Sequence, residues 1–270
     1  MLHMRWPYVW AIAAVTAGCG GVPPAPSTEA KSELAPTGAL RIAVFTGNPV
    51  IGSKGKAAGE VTGTTATLGR QLAEQAGVPA QVIEYTAVGK MVEEAKNNAW
   101  DIAVVAFDPA RRSVVDFAPP HMVVDLTYLV APAKEISSIP NADRAGVRIV
   151  AARGAATALT LKRELKAATL VEADTEAAAF EMLRAGQVDA LAQNRFLLLN
   201  LAERLPGAHV LADRFAAAEM TIILPRGRPA ALAYVGEFVE RAKRNGAVQG
   251  AISDAGLRGV AVAPSAKQAR

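Results

Sequence analysis

The chain of 270 residues is long enough for one large domain or for two lobes of about 100 residues each. Hydrophobic residues make up 51% and charged residues 20%, which is typical of a globular protein with a sizeable core. The formal net charge of +4 comes without any block of lysine and arginine interleaved with aromatic residues, so nucleic acid is excluded as an expected partner.

Residues 1–18 are predicted to be a signal peptide. One arginine precedes an apolar run at residues 9–15, which is too short to cross a bilayer, and small residues follow. The single cysteine, Cys19, resembles the lipidated cysteine of a bacterial lipobox, although Thr16 stands where leucine is usual. Lipidation would anchor the protein at a membrane surface. The alternative is cleavage after Ala17, which leaves a spare thiol.

Residues 19–37 are rich in proline, glycine, serine and alanine. Such a composition buries little apolar surface, so this segment is predicted to be a flexible tether. With one cysteine in the chain, no internal disulfide is expected.

Strands and helices alternate after the tether. Apolar strands are predicted at residues 40–45, 81–85 and 101–107, and amphipathic helices at residues 64–77 and 87–98. The third strand is apolar throughout, as parallel strands covered on both faces are. The pattern indicates a βαβαβ unit with right-handed crossovers.

The same pattern then begins again. Strands are predicted at residues 147–152, 169–173 and 188–193, with helices at residues 156–166 and 175–186 between them. The repetition predicts a second α/β unit that resembles the first.

Two aspartates mark the repetition most clearly. Asp101 and Asp189 each follow a helix end and a polar turn, and each opens a short apolar strand. We therefore expect two similar α/β lobes rather than one sheet. The β-rich segments 125–132 and 219–227 are the expected crossings between them, and the helix at residues 230–246 is expected to return to the first lobe.

This division predicts that lobe 1 consists of residues 38–127 plus 221–265 and that lobe 2 consists of residues 128–220. Two chain crossings make a hinge, and the cleft between two lobes is a common ligand site.

A motif follows the third strand. Asp101 opens the strand, Pro109 and Arg111 come after it, and Asp116-Phe117 follow with two prolines behind them. Together with the order of elements over about residues 38–262, this resembles the amino-acid-type periplasmic solute-binding proteins, family 3 of the extracellular solute-binding proteins. The resemblance implies a two-lobed, type II periplasmic-binding-protein-like fold, with two parallel-core sheets joined by two hinge crossings.

The resemblance also implies that Arg111 binds the α-carboxylate of the ligand. The residues themselves support an anion site, because Asp108 and Pro109 are typical of a helix start and a guanidinium matches a carboxylate with two parallel hydrogen bonds. A helix start at the end of a parallel strand also offers free N–H donors. The alternative is that Arg111 only pairs with Asp108, three residues earlier.

Several positions depart from the family pattern in the first lobe and in the turn after strand 147–152. Ala106 stands for a serine, and Asp108 stands for the capping threonine. Gly154 is followed by two alanines, the second being Ala156, where the family has two threonines, so Thr157 is the candidate substitute hydroxyl.

The subsite for the ligand's ammonium group differs as well. Asn194 stands where the family has an aspartate, and Phe45 and Asn48 stand for an aspartate and an aromatic residue after the first strand. We therefore expect a carboxylate ligand whose amino group is missing, modified or bound differently, with Asp108 as the new candidate for holding a cation. Phe45 and Phe107 are predicted to form either an apolar ligand wall or part of the core.

Lys90 and Arg153 are second candidates for an anion, the alternative being that both are simply solvated. Residues 47–56 resemble a phosphate-binding loop but have Ser-Lys in the wrong order, and they are predicted to form a surface hairpin or loop. His121 and His209 are isolated, so no metal site, cofactor or catalytic triad is predicted.

The function that these features predict is capture of a small carboxylate-bearing solute for an ABC permease, by a monomeric periplasmic lipoprotein that is not an enzyme. One alternative is a cyclohexadienyl dehydratase-type enzyme on the same fold, for which Asp108 or Glu219 would be the acid or base. Another alternative is a solute sensor.

Overall fold

The structure, a computed structural model, describes residues 24–257 and 259–265. The predicted signal peptide and Cys19 lie outside these residues. The α-helices of the described part are α1 (Thr28–Leu34), α2 (Thr64–Ala76), α3 (Val88–Glu93), α4 (Ile139–Ala142), α5 (Ala156–Glu164), α6 (Glu176–Arg184), α7 (Arg195–Ala202), α8 (Pro229–Arg244) and α9 (Ala247–Asp254). Its strands are β1 (Leu40–Phe45), β2 (Ser53–Lys54), β3 (Val61–Thr62), β4 (Ala80–Tyr85), β5 (Ile102–Ala106), β6 (Val115–Val130), β7 (Arg148–Ala152), β8 (Thr169–Ala173), β9 (Ala190–Asn194), β10 (His209–Val210), β11 (Ala216–Pro225) and β12 (Val260–Val262).

The six predicted strands of the two α/β units are all present, and they form two parallel arrays. β4, β1 and β5 are parallel neighbours in the first array, and β8, β7 and β9 are parallel neighbours in the second. The predicted βαβαβ repetition is therefore confirmed.

The two arrays are joined into one hydrogen-bonded sheet with the order β4-β1-β5-β11-β6-β9-β7-β8. This corrects the expectation of two separate sheets. The 16-residue strand β6 pairs with β11 along most of its length and then with β9, and β11 also pairs with β5. The predicted crossing segments are parts of β6 and β11. These two long antiparallel strands connect the two arrays through continuous backbone hydrogen bonding.

Each half nevertheless has its own hydrophobic packing. The largest buried cluster covers β1, β5, α2 and α8 in the first half. The second half has one cluster on each face of its strands, one around Tyr128 and Ile149 and the other around Leu129 and Val150. These neighbouring residues alternate between the two faces because successive side chains on a strand point in opposite directions.

The two aspartates of the sequence repeat occupy equivalent positions. The Oδ2 atom of Asp101 accepts a hydrogen bond from the backbone N–H of Arg41 at 2.9 Å, and Oδ2 of Asp189 accepts one from the backbone N–H of Arg148 at 2.7 Å. Both arginines lie at the start of the first strand of their array, so each aspartate fixes the register of two parallel strands.

The predicted tether is wrong over residues 28–34, where the chain forms α1. Ser27 caps this helix by accepting a hydrogen bond from the N–H of Ala30, and Leu34 is completely buried. The helix packs on α8, and the Glu33 carboxylate accepts a hydrogen bond at 2.9 Å from the backbone N–H of Ala231. Composition alone indicated flexibility, but two apolar side chains at helical spacing are enough to dock the segment.

The surface hairpin or loop predicted at residues 47–56 is only partly present. A hairpin does form, but it spans residues 53–62 through the antiparallel pair β2 and β3, whereas Val50 and Ile51 are buried. Among the described helices, none is both long enough and apolar enough to span a bilayer.

Candidate functional site

A cavity lies between the two halves of the molecule. It is lined by the carboxyl ends of β1, β5 and β9, by the segments that follow β7 and β8, and by β6 and β11. Its volume is about 40 Å³, room for roughly three water molecules. Much of the wall is apolar and includes Phe45, Val50, Ile51, Val88, Leu126 and Met220. The cavity therefore suits a small solute.

Arg111 lies against this cavity and is only 5% exposed. Its Nη1 atom donates a hydrogen bond to the carbonyl oxygen of Ala106 and its Nη2 atom to that of Gly154, both at 2.6 Å. Burial lowers the pKa of Arg111 to about 10, so the group remains charged near neutral pH. No carboxylate of the described residues forms an ion pair with it, which leaves a buried positive charge directed at the cavity.

Asp108 is not a cation site facing the ligand, and the alternative pairing of Arg111 with Asp108 is also wrong. The Asp108 side chain caps the turn through the N–H of Ala110 at 2.8 Å and accepts a hydrogen bond from Nη1 of Arg163 at 2.6 Å. It does not line the cavity. The predicted helix start is present, but it is a five-residue 3₁₀ turn at Pro109–Ser113 and offers little of the expected helix dipole.

The start of α5 provides further donors. Gly154 has a φ of +71° in the turn before it, and the N-cap residue Ala155 offers no side-chain cap. Ala156 and Thr157 line the cavity, and the buried Oγ1 of Thr157 has no hydrogen-bond partner among the described residues. Buried hydroxyls are normally paired, so Thr157 is equipped to bind an anion together with the first N–H groups of the helix.

Asn194 and Asn48 both line the cavity, and they contact each other across it. Nδ2 of Asn194 donates to Oδ1 of Asn48 at 2.9 Å and to Oε1 of Gln193 at 3.1 Å. Its Oδ1 caps α7 by accepting from the N–H of Leu197 at 2.9 Å. Asn194 is thus neutral, and both its amide nitrogen and its amide oxygen already form hydrogen bonds.

Glu176 is a cavity residue that sequence reasoning missed. It is the first residue of α6 and is 7% exposed. Burial raises its pKa to about 7, against the opposing effect of a hydrogen bond from Gln193. The sequence places Thr175-Glu176 shortly after a predicted strand, where a site residue could lie. This pattern does not identify a site residue, because acidic residues are common in the first turn of any helix.

The other predicted residues divide between the cavity and its surroundings. Phe45 and Ala106 line it, whereas Phe107 packs edge-on against Phe117 with 5.0 Å between ring centroids. Lys90 and Arg153 do not line it and form ion pairs at the surface.

The two halves are in direct contact around the cavity. Hydrogen bonds connect Arg111 to Gly154, Asp108 to Arg163 and Asn48 to Asn194. Gly154 also approaches Gly89 so closely that a Cβ atom on Gly154 would lie 2.9 Å from the Cα of Gly89. The molecule is therefore in a closed arrangement. Within the described ranges, no cluster of three or more His, Cys, Asp or Glu side chains is suited to a metal ion.

Comparison with known proteins agrees with this architecture. The family model of the bacterial extracellular solute-binding proteins, family 3, matches residues 40–253. Among curated proteins, the chain is 23% identical over 208 residues to the ABC transporter glutamine-binding protein GlnH of Bacillus subtilis (strain 168). That alignment covers 75% of this chain and 76% of GlnH.

Two solved structures illustrate the likeness in fold. The solute receptor for L-cysteine of Neisseria gonorrhoeae matches with a TM-score of 0.75 and 21% identity, covering 88% of this chain and 100% of that one. The ancestral amino acid-binding protein AncCDT-1, a precursor of cyclohexadienyl dehydratase, matches with a TM-score of 0.71 and 22% identity, covering 83% and 98%. The predicted α/β, two-lobed type II fold is confirmed.

Proposed function

Because the chain belongs to the bacterial extracellular solute-binding proteins, family 3, we propose that it captures a small carboxylate-bearing solute, an amino acid or a derivative, and delivers it to an ABC importer. The observation that carries this proposal is the buried Arg111 guanidinium, which faces the cavity without an ion-pair partner among the described residues. An unpaired buried charge is costly, and a ligand carboxylate would neutralise it.

The carboxylate would be held from both halves at once. Arg111 belongs to the first half, whereas Thr157 and the first N–H groups of α5 belong to the second. An anion bound by both stabilises the closed form relative to the open form, because the open form offers only one of the two contacts.

The hinge of this motion would be the two long strands β6 and β11. Lobe 1 would then comprise residues 38–127 plus 221–265, with α1 packed against its helix α8, and lobe 2 residues 128–220. Closure around the solute, followed by recognition of the closed form by the permease, is the mechanism that we propose.

Replacement of Arg111 tests this proposal. We expect Arg111→Ala to weaken the binding of the tightest ligand among the twenty amino acids by roughly 100-fold, since a charge-assisted bidentate contact is lost. Isothermal titration calorimetry measures this change. Arg112→Ala is the matched control, because Arg112 is exposed and its guanidinium lies 5.2 Å from the Phe107 ring centroid. Equal affinities of Arg111→Ala and the unmodified protein would refute the proposal.

A second candidate function, a dehydratase-type enzyme, is favoured by Glu176, because a carboxyl group with a pKa of about 7 can act as a general acid near neutral pH. The acids that the sequence suggested do not fit this role, since Asp108 is paired with Arg163 and Glu219 is exposed outside the cavity. We propose binding without catalysis and without a cofactor. Turnover of prephenate or arogenate by the purified protein would reverse this choice.

We also propose that the protein acts as a periplasmic monomer anchored through a lipidated Cys19, after removal of residues 1–18. Because Cys19 lies outside the described residues, the support for this proposal comes from the lipobox-like sequence alone. Mass spectrometry of the mature chain from the membrane fraction checks it, and a free Cys19 thiol would contradict it.

A further inference from the structure

The cavity contains one acidic side chain among the described residues that line it, Glu176, and one basic side chain, Arg111. No ion pair joins them, and neither has an oppositely charged partner elsewhere in the described residues. Asp108, the carboxylate whose charge acts on Arg111, is itself bound by Arg163. The site therefore contains one buried basic group and one buried acidic group that are not paired with each other.

The position of Glu176 follows from the sheet order β9-β7-β8. The carboxyl ends of these parallel strands lie at one edge, so α7, α5 and α6 begin side by side. Asn194 marks the end of β9, Thr157 lies in the first turn of α5, and Glu176 begins α6. The start of α6 is thus separated from Asn194 by the turn before α5, although the Glu176 side chain accepts a hydrogen bond from Gln193, the neighbour of Asn194.

Asn194 itself carries no negative charge with which a cation could pair. Its amide nitrogen donates to Asn48 and Gln193, and its amide oxygen accepts from the helix that it caps. A ligand ammonium group at this position would find no negative charge, and the amide oxygen that it could contact already accepts a hydrogen bond from Leu197. The acidic function of the site must come from elsewhere if the ligand carries an amino group.

We propose that Glu176 binds the ammonium group of the solute, so that the ligand is a compact zwitterionic amino acid held between Glu176 and the pair formed by Arg111 and Thr157. This inference rests on the proposed function. The small, largely apolar cavity has no further charged side chain among its described lining residues, so it selects against amino acids with long or charged side chains.

The surroundings of Glu176 support this role. α6 packs against β7, β8 and β9, and the charged side chains on these strands, Arg148 and Glu172, form ion pairs outside the cavity. Burial without a nearby cation makes the ionised carboxylate unfavourable in the empty closed form, as its raised pKa indicates. A ligand ammonium group would remove that penalty, whereas a ligand without an amino group would leave it in place.

The first test uses the unmodified protein. The twenty amino acids are titrated by calorimetry, and the tightest binder is compared with the same acid lacking its amino group, for example L-alanine with propionate. We expect the amino acid to bind roughly 10- to 100-fold more tightly, as a charge-assisted hydrogen bond requires.

The second test compares two variants of the same helix. Glu176→Gln should weaken binding of the amino acid by roughly 10- to 100-fold and leave binding of the amino-free acid unchanged or stronger. Glu181→Gln is the matched control, because Glu181 is exposed and pairs only with Arg184. A merely structural role of Glu176 would affect both ligands alike.

The outcomes distinguish ammonium binding by Glu176 from the proposed capture of a carboxylate-bearing solute. Equal affinity for the amino acid and its amino-free analogue, or an unchanged Glu176→Gln variant, would overturn this inference and leave the carboxylate-binding function standing. Failure of every amino acid and every amino-free acid to bind would overturn both.

Discussion

Thr157 and His121 are both buried and lack hydrogen-bond partners among the described residues, but for different reasons. Thr157 lines the cavity, so a ligand bound there can supply the missing partner. His121 lies in β6 and does not line the cavity, and both of its ring nitrogens lack a hydrogen-bond partner among the described residues. Burial and the nearby Lys243 lower the pKa of His121 to about 3. We therefore expect Thr157 to contribute to ligand binding and His121 to make the stability of the fold sensitive to acid.

Replacement of His121 should flatten the acid dependence of stability. The folded-state pKa lies below the unfolded value of 6.5, so the contribution is complete above pH 6.5 and is lost as the pH falls toward 3. Within this window the free energy of unfolding decreases by about 1.4 kcal/mol for each pH unit by which the pH falls. We expect the free energy of unfolding of His121→Leu to fall less steeply with decreasing pH than that of the unmodified protein. Urea unfolding at pH 4, 5 and 7 measures this difference.

His209→Gln is the control for that measurement, because His209 is partly exposed and its Nε2 already contacts the carbonyl oxygen of Ile136 at 3.0 Å. If the free energy of unfolding of His121→Leu depends on pH as steeply as that of the unmodified protein, other groups dominate acid unfolding.

At the scale of elements, α1 is the clearest departure from the expected organisation. It connects the N-terminal part of the described chain to α8 and to the buried cluster around Asp101. The guanidinium of Arg228 donates to the carbonyl oxygen of Glu33 at 3.1 Å and to Asp101 at 2.9 Å. The segment before β1 is therefore an integral part of the first half.

A core substitution in α1 measures this contribution. Leu34 is completely buried, so Leu34→Ala should lower the free energy of unfolding by about 2–4 kcal/mol through lost burial and a cavity. The exposed neighbour Ser32 is the control, and Ser32→Ala should change stability by less than about 0.5 kcal/mol. Chemical denaturation measures the free energy of unfolding of both variants. If Leu34→Ala is as stable as the unmodified protein, residues 28–34 behave as a tether.

At the scale of the whole molecule, closure depends on how closely the halves can approach. Gly89 in α3 faces the turn at Gly154, and a Cβ atom on Gly89 would lie 3.1 Å from the carbonyl oxygen of Arg153. A side chain at this position acts as a spacer between the halves. The same side chain should matter little in an open molecule.

Gly89→Val should therefore weaken binding of the tightest amino acid by roughly 10-fold or more and reduce the compaction that the ligand produces in small-angle X-ray scattering. Gly250→Val, in α9, is the matched control, since nothing lies within 4 Å of a Cβ atom there. If Gly89→Val closes and binds like the unmodified protein, this contact does not limit closure.

Local patterns were sufficient for much of the fold. Apolar runs predicted the parallel strands, and Gly77 marked the end of α2, where its φ of +63° requires a residue that tolerates the left-handed region. The motif after β5 also indicated Arg111, which lines the cavity. Each of these features depends on neighbours in sequence, whose burial and backbone conformation leave a periodic or compositional trace.

Only the tertiary structure decided which distant charges meet. Asp108 and Arg163 are 55 positions apart, and their contact removes Asp108 from the ligand site. Glu176 had the sequence of an ordinary helix start, and its importance comes from the cavity that β6, β11 and the opposite half build around it. Electrostatic partners depend on distances across the closed cleft, and no short stretch of sequence contains those distances.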